Sequence, residues 1–112
     1  MKTATATIQA GICGFVTRVR AEADEGYALR LQIESDCEKV RAFAADLSAA
    51  GGLSALDELG QGHEGAILAT ARRHLKGCCS ACITPNGVFK AMQVAAGLAL
   101  PADVHIQLVT EG

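Results

Sequence analysis

Tryptophan is absent from this chain, tyrosine occurs once and phenylalanine three times. A core without aromatic bulk has to be assembled from Ala, Leu, Val and Ile. Neither charge is in excess: ten Lys and Arg stand against twelve Asp and Glu, a net of −2. That balance excludes nucleic acid as a bulk electrostatic partner. No run approaches the ~20 consecutive apolar residues that a membrane-spanning helix needs. The nucleophile elbow G-x-S-x-G, the phosphate-binding P-loop and the dinucleotide glycine fingerprint are all missing, and with them the commonest enzyme signatures. Met1 to Thr5 lead into alternation and not into an apolar run, so no signal peptide is expected and the expected location is the cytoplasm. There is no repeat, low-complexity tract or linker, and 112 residues suit a single domain, 1–112, with one core.

What the chain has is thiols. Cys78, Cys79 and Cys82 fall within five residues, in Gly77-Cys78-Cys79-Ser80-Ala81-Cys82, and Cys13 and Cys37 stand alone earlier. Five is an odd number, a poor match to a fully paired secreted framework. In a reducing compartment, clustered thiols serve as ligands or redox groups more often than as structural disulfides.

The pattern of apolar residues places each thiol at a junction between elements. Ala4, Ala6, Ile8 and Ala10 alternate with Thr5, Thr7 and Gln9, which predicts a strand over 4–10. Gly11 and Gly14 then bracket Ile12-Cys13 in a turn. Alternation over 14–23, a hairpin signal at Asp24-Glu25-Gly26 and alternation over 27–34 predict two more antiparallel strands. At Ser35-Asp36 the period changes. Ser35 with Glu38 reads as a capping box opening a helix over 36–50, in which Val40, Phe43, Ala44 and Leu47 share a stripe and Gly51-Gly52 ends it. A short helix follows Ser54. A third is expected over 64–76 and a fourth over 85–97, with Thr84 as cap and Pro85 in its first turn. Val104, Ile106 and Leu108 alternate with His105 and Gln107, which predicts a closing strand over 103–109. The expected class is α+β: three sequential strands and a C-terminal strand in one antiparallel sheet, with helices packed on one face.

Each candidate has a functional and a structural reading. Cys37 lies in the first turn of a helix, where unpaired N–H groups and the helix dipole favour an anion, as suits a ligand or nucleophile; alone it would read as a small hydrophobe at a corner. Flanking glycines let the backbone at Cys13 approach a bulky ligand, or serve only the turn. Cys79 and Cys82 form a C-x-x-C, able to chelate a metal or to form a redox disulfide. Cys13, Cys37, Cys79 and Cys82, with Cys78 as alternative, meet the ligand count of a zinc site or a cysteine-bound iron–sulfur cluster. The competing readings are a thiol–disulfide or persulfide-handling protein, with Cys37 as nucleophile and Cys79 or Cys82 resolving, and a non-catalytic assembly module whose cysteines are core residues. Nothing in the sequence requires catalysis. His74, one turn before Cys78, could add a nitrogen ligand, although its neighbours Arg72, Arg73 and Lys76 mark a solvated helix face. His63, in a Gly-rich loop, is a weaker ligand candidate still, His105 is read as structural, and Asp24, Glu25, Asp57 and Glu58 as exposed cap and turn residues.

The order of these features resembles the NifU/IscU-type iron–sulfur scaffold proteins. Ile12-Cys13-Gly14 opens a hairpin, Ser35-Asp36-Cys37 joins strand to helix, Leu53 to Glu58 follow that helix, and Cys78-Cys79 precede the Phe89-Lys90-Ala91 helix. The likeness spans about residues 11–92. It implies a three-stranded antiparallel sheet with packed helices, one cysteine from each of three segments around a cluster, and a sulfur donor or cluster-accepting protein as partner. Phe15 stands where that family has Asp, Cys78 where it has His, and His74-Leu75-Lys76-Gly77 replaces its chaperone-docking segment. These departures bear on cluster delivery more than on binding. The chain is also similar to small uncharacterised cysteine-containing proteins of anaerobic bacteria and archaea, a likeness that assigns no activity. A shared site requires Cys13, Cys37 and at least one of Cys78, Cys79 and Cys82 to gather at one end of the sheet.

Overall fold

Alternating small apolar and polar residues build a three-stranded antiparallel meander. The computed structural model, which describes residues 2–112, has β1 (Lys2–Gln9), β2 (Val16–Ala23) and β3 (Leu29–Ser35) in the spatial order β1-β2-β3. β1 pairs with β2 from Lys2↔Ala23 to Gln9↔Val16, and β2 with β3 from Thr17↔Ser35 to Ala23↔Leu29. Thr17, Val19, Ala21 and Ala23 of the central strand are buried, whereas Arg18 and Arg20 between them are exposed. The period of two thus sorts the side chains into an inner and an outer face. β3 starts two residues later than the alternation predicts, because Tyr27 belongs to the turn. Its φ is +68°, and Asp24 braces the loop by accepting the N–H groups of Gly26 and Ala28, each at 2.9 Å.

Helices cover the inner face. α1 (Glu38–Ala50) packs on β3 and on α3 (Ala66–His74), while α4 (Thr84–Ala95) lies over β1 and β2. α2 (Ala55–Gln61) and 3-10 turns at Gly62–Glu64 and Gly77–Ala81 connect them. One core results, with Phe43, Leu47, Ile67, Val88 and Met92 at its centre. Alanines on the sheet let α4 come close, and Gly87 rests directly against Ile8 of β1. α4 ends in a glycine motif: Gly97 has a φ of +75°, and the Leu98 N–H reaches back to the Gln93 carbonyl at 2.8 Å. Among the described residues no helix is long and apolar enough to cross a membrane.

Two expectations need correction. The capping box at Ser35 does not form, since Ser35 completes β3 and α1 is capped by Cys37. The Ser35 hydroxyl instead accepts from the Thr17 hydroxyl at 2.9 Å and from the Cys37 N–H at 3.2 Å. More consequentially, residues 103–109 form no strand. Val104, Ile106 and Leu108 are 62%, 60% and 88% exposed, and the segment lies against neither edge of the sheet. Alternation supplies an apolar face, but a strand also needs an edge to bond to, and within this chain the segment has taken none. The molecule measures 51 Å along its longest axis against 28 and 24 Å across.

Candidate thiol site at one end of the sheet

Topology carries the cysteine-bearing segments to one end. The β1–β2 turn, which holds Cys13, and the end of β3, which leads to Cys37, share that end because Gln9 pairs with Val16 and Thr17 with Ser35. The first turn of α4 is there too, since Gly87 meets Ile8 near the end of β1, while Gly97 at the other end of the helix meets Lys2. The Gly77–Ala81 turn and Cys82 immediately precede α4 and so belong to the same end.

The thiols nevertheless differ in setting. Cys13 projects on an exposed turn closed by Gly14 N–H to Gly11 carbonyl at 2.9 Å and Ala10 N–H to Phe15 carbonyl at 3.1 Å. Positive φ at Gly11 (+98°) and Gly14 (+76°) makes that turn dependent on glycine. Ile12 beside it is fully exposed and Phe15 substantially so. Cys37 is half-buried against the core as the N-terminal cap of α1, with no side chain capping that terminus. Cys79 and Cys82 are also half-buried against the core, and Cys78 faces solvent.

Each half-buried thiol of the 3-10 segment has a polar neighbour. Lys39, in the first turn of α1, donates to the Cys79 sulfur at 3.4 Å. This links the Cys79 turn to the helix that Cys37 caps, and it places a positive charge beside the sulfur. Cys82 donates to the Thr84 hydroxyl at 3.3 Å and lines a shallow hollow of about 260 Å³ with Leu75, Ser80 and Arg72. All five cysteines are free, so Cys79 and Cys82 are not joined.

The segments share an end of the sheet but their donors do not share a point. Among the described residues no three His, Cys, Asp or Glu side chains are grouped closely enough to hold a metal ion. His74 is directed elsewhere: its Nε2 lies 2.9 Å from Asp46, and Arg73 reaches the same carboxylate oxygen at 3.4 Å. Hydrogen bonding from His74 first, and then the bond and charge of Arg73, hold the Asp46 carboxyl below its ordinary value. The His63 carbonyl accepts from Arg72, and His105 is exposed in the tail.

Two contributors escaped the sequence reading. Lys39 is forty residues from Cys79, and no local pattern joins them. Glu58, expected to be exposed, is only 3% accessible and accepts the N–H groups of Ala66 and Ile67 at 3.2 and 2.7 Å. It caps α3 from outside, and the signal was available: α3 follows Gly65, which has no side chain to cap it.

A comparison with curated proteins finds no match, and one with solved structures finds none either. A family described as "Family of unknown function (DUF6951)" matches residues 4–108. That span is nearly the whole chain, and the protein therefore belongs to this family.

Proposed function

We propose that this protein receives a soft metal cargo, an iron–sulfur cluster or a zinc ion, on the thiols at the end of its sheet. The observation that carries the reading is the convergence of three cysteine-bearing segments, distant in sequence, on that end. Cys37 and Cys79 form the anchored half: each is packed on the core, and Lys39, on the helix that Cys37 caps, donates to Cys79. The lysine charge complements the negative charge that thiolate ligation builds up. Cys13 stands apart on its exposed turn, which must fold inward for the sulfur to join the others. Cys82 completes a set of four by leaving Thr84, with Cys78 as alternative. Zinc would draw the sulfurs to about 2.3 Å from the ion, whereas a cluster spreads them further.

The order of cysteines and elements supports a NifU/IscU-like arrangement as the finer description of the fold, with a sulfur donor or cluster acceptor as partner and a reducing cytoplasm as location. Metal analysis and a visible spectrum after anaerobic purification test the reading. Bound iron with sulfide absorption, or bound zinc, is expected, with the metal lost in Cys37→Ser and Cys79→Ser. A colourless, metal-free protein that takes up neither iron, sulfide nor zinc overturns it.

The Lys39–Cys79 contact, which holds the Cys79 turn against the helix that Cys37 caps, also favours a second reading, thiol–disulfide or persulfide handling with Cys37 as nucleophile and Cys79 resolving. A metal-free protein with a readily reduced Cys37–Cys79 disulfide selects this reading over the first.

A further inference from the structure

β3 is an edge strand whose outer side is only partly used. At its start, the Leu29 N–H bonds to the Leu53 carbonyl, and the Ala55 N–H to the Tyr27 carbonyl. Both bonds point away from β2. Backbone groups on a strand repeat their direction every second residue, so those of Leu31 and Ile33 point outward too. Among the described residues no turn, loop or cap bond occupies them. Alongside runs a groove of about 600 Å³ between β3 and α1, lined by Leu31, Ile33, Ala44, Leu47 and Ser48 among others. Leu31 and Ile33 are half-buried there against the core. An edge with free hydrogen-bonding groups beside a groove of mixed lining, in which Leu31, Ile33 and Leu47 offer apolar surface, is a template for one more strand.

The same chain carries a segment that fits. Residues 103–109 are already without secondary structure of their own, and no backbone bond outside helices and strands ties them to the other described residues. Their alternation gives Val104, Ile106 and Leu108 one face and His105 and Gln107 the other. Set antiparallel to β3 with Ile106 beside Ile33 and Leu108 beside Leu31, the segment brings His105 beside Glu34 and Gln107 beside Gln32. Apolar side chains then meet the groove, and an imidazole meets a carboxylate on the wet face. The tail departs from Gly97, near Lys2 on β1, which is the opposite edge of the sheet from β3. It extends from the body of the molecule and does not turn back beneath β2.

We propose that residues 103–109 of one copy form the fourth strand on β3 of a second copy, giving a reciprocal, strand-exchanged dimer. The contact is isologous and closes on itself, since each protomer gives one strand and accepts one. It explains why a segment patterned as a strand is unpaired in the single chain. It rests on the sheet edge and the tail, and is independent of the thiol site.

Sedimentation over a range of protein concentrations, together with amide hydrogen exchange, tests the proposal on the full chain. The expected result is a dimer in which the Leu31 and Ile33 amides and those of Val104, Ile106 and Leu108 are slow to exchange together, while those of His105 and Gln107, which face away from β3, are not. The double variant Ile106→Asp/Leu108→Asp changes only exposed side chains and should keep the monomer folded by circular dichroism. It should weaken dimerisation by at least about a hundredfold, since the two tails of the dimer together withdraw four apolar side chains from burial. A wild-type monomer at all concentrations overturns the proposal, whether its tail amides are protected, as for a strand folded back in its own chain, or exposed. A dimer unaffected by the double variant overturns it as well.

Discussion

Glu58 shows how much of this fold depends on single polar atoms. Its two carboxylate oxygens hold two N–H groups at the start of α3 in a nearly water-free position. Glu58→Ala leaves both donors without a partner, at about 1–3 kcal/mol for a buried unsatisfied group. The loss is expected to lower the melting temperature by several degrees, and calorimetry would show it; Glu58→Gln, which keeps one acceptor oxygen, should fall between the variant and wild type. Asp46 behaves differently because it lies at the surface. Its carboxyl is held below the ordinary 3.8, mainly by the hydrogen bond from His74. A depressed carboxyl stabilises the fold above its unfolded value and loses that contribution as pH falls through its folded value. Asp46→Asn should therefore cost a small amount of stability at neutral pH, where surface pairs contribute weakly, and the two stability–pH profiles should converge as pH falls below about 4, which leaves the variant with the flatter acid limb. Two outcomes at this scale follow from patterns visible in the sequence: the alternating residues of β2 are buried and exposed in turn, and the stripe Val40, Phe43 and Leu47 is buried. Glu58 and Lys39 act over distances in sequence that no periodicity reports.

Elements were legible where a repeat of 2 or 3.6 residues ran unbroken. α1, α3, α4 and both hairpins lie close to their expected bounds, with ends displaced where a turn claimed the residue, as at Tyr27, or where a cap moved, from Ser35 to Cys37. The tail had the right period and failed for want of an edge within its own chain, a tertiary condition that periodicity does not encode. The seating of α4 on the sheet depends on the missing side chain at Gly87, since a Cβ there would lie 2.6 Å from the Ile8 Cγ1. Gly87→Val should destabilise by about 1–3 kcal/mol through overpacking, visible as a lower denaturant midpoint with an unchanged slope. The thiol-bearing segments also differ as elements. In the native protein Cys13 and Cys78 should alkylate first, ahead of Cys37, Cys79 and Cys82, as mass spectrometry of partly labelled samples would record. If the metal reading is right, loading with zinc or a cluster should slow Cys13 together with Cys37 and Cys79; protection of Cys78 and Cys82 alone would count against Cys13 as a ligand.

Across the whole molecule, the sequence located the thiols at element boundaries, and the fold brings those boundaries to one end of the sheet without joining them. The three strands are neighbours both in sequence and in space, so their pairings close short loops. α4 is the exception, returning from the far part of the chain to lie on β1. Contacts that close long loops carry a larger ordering cost before they are rewarded. Docking α4 is therefore the step that carries Cys79 and Cys82 to the end of the sheet already held by Cys13 and Cys37. A half-made chain emerging from the ribosome can display its first two cysteines but lacks the segment that faces them. The thiol end is thus complete only when α4 has been synthesised and seated, so a cargo that needs all three segments is held only after that step.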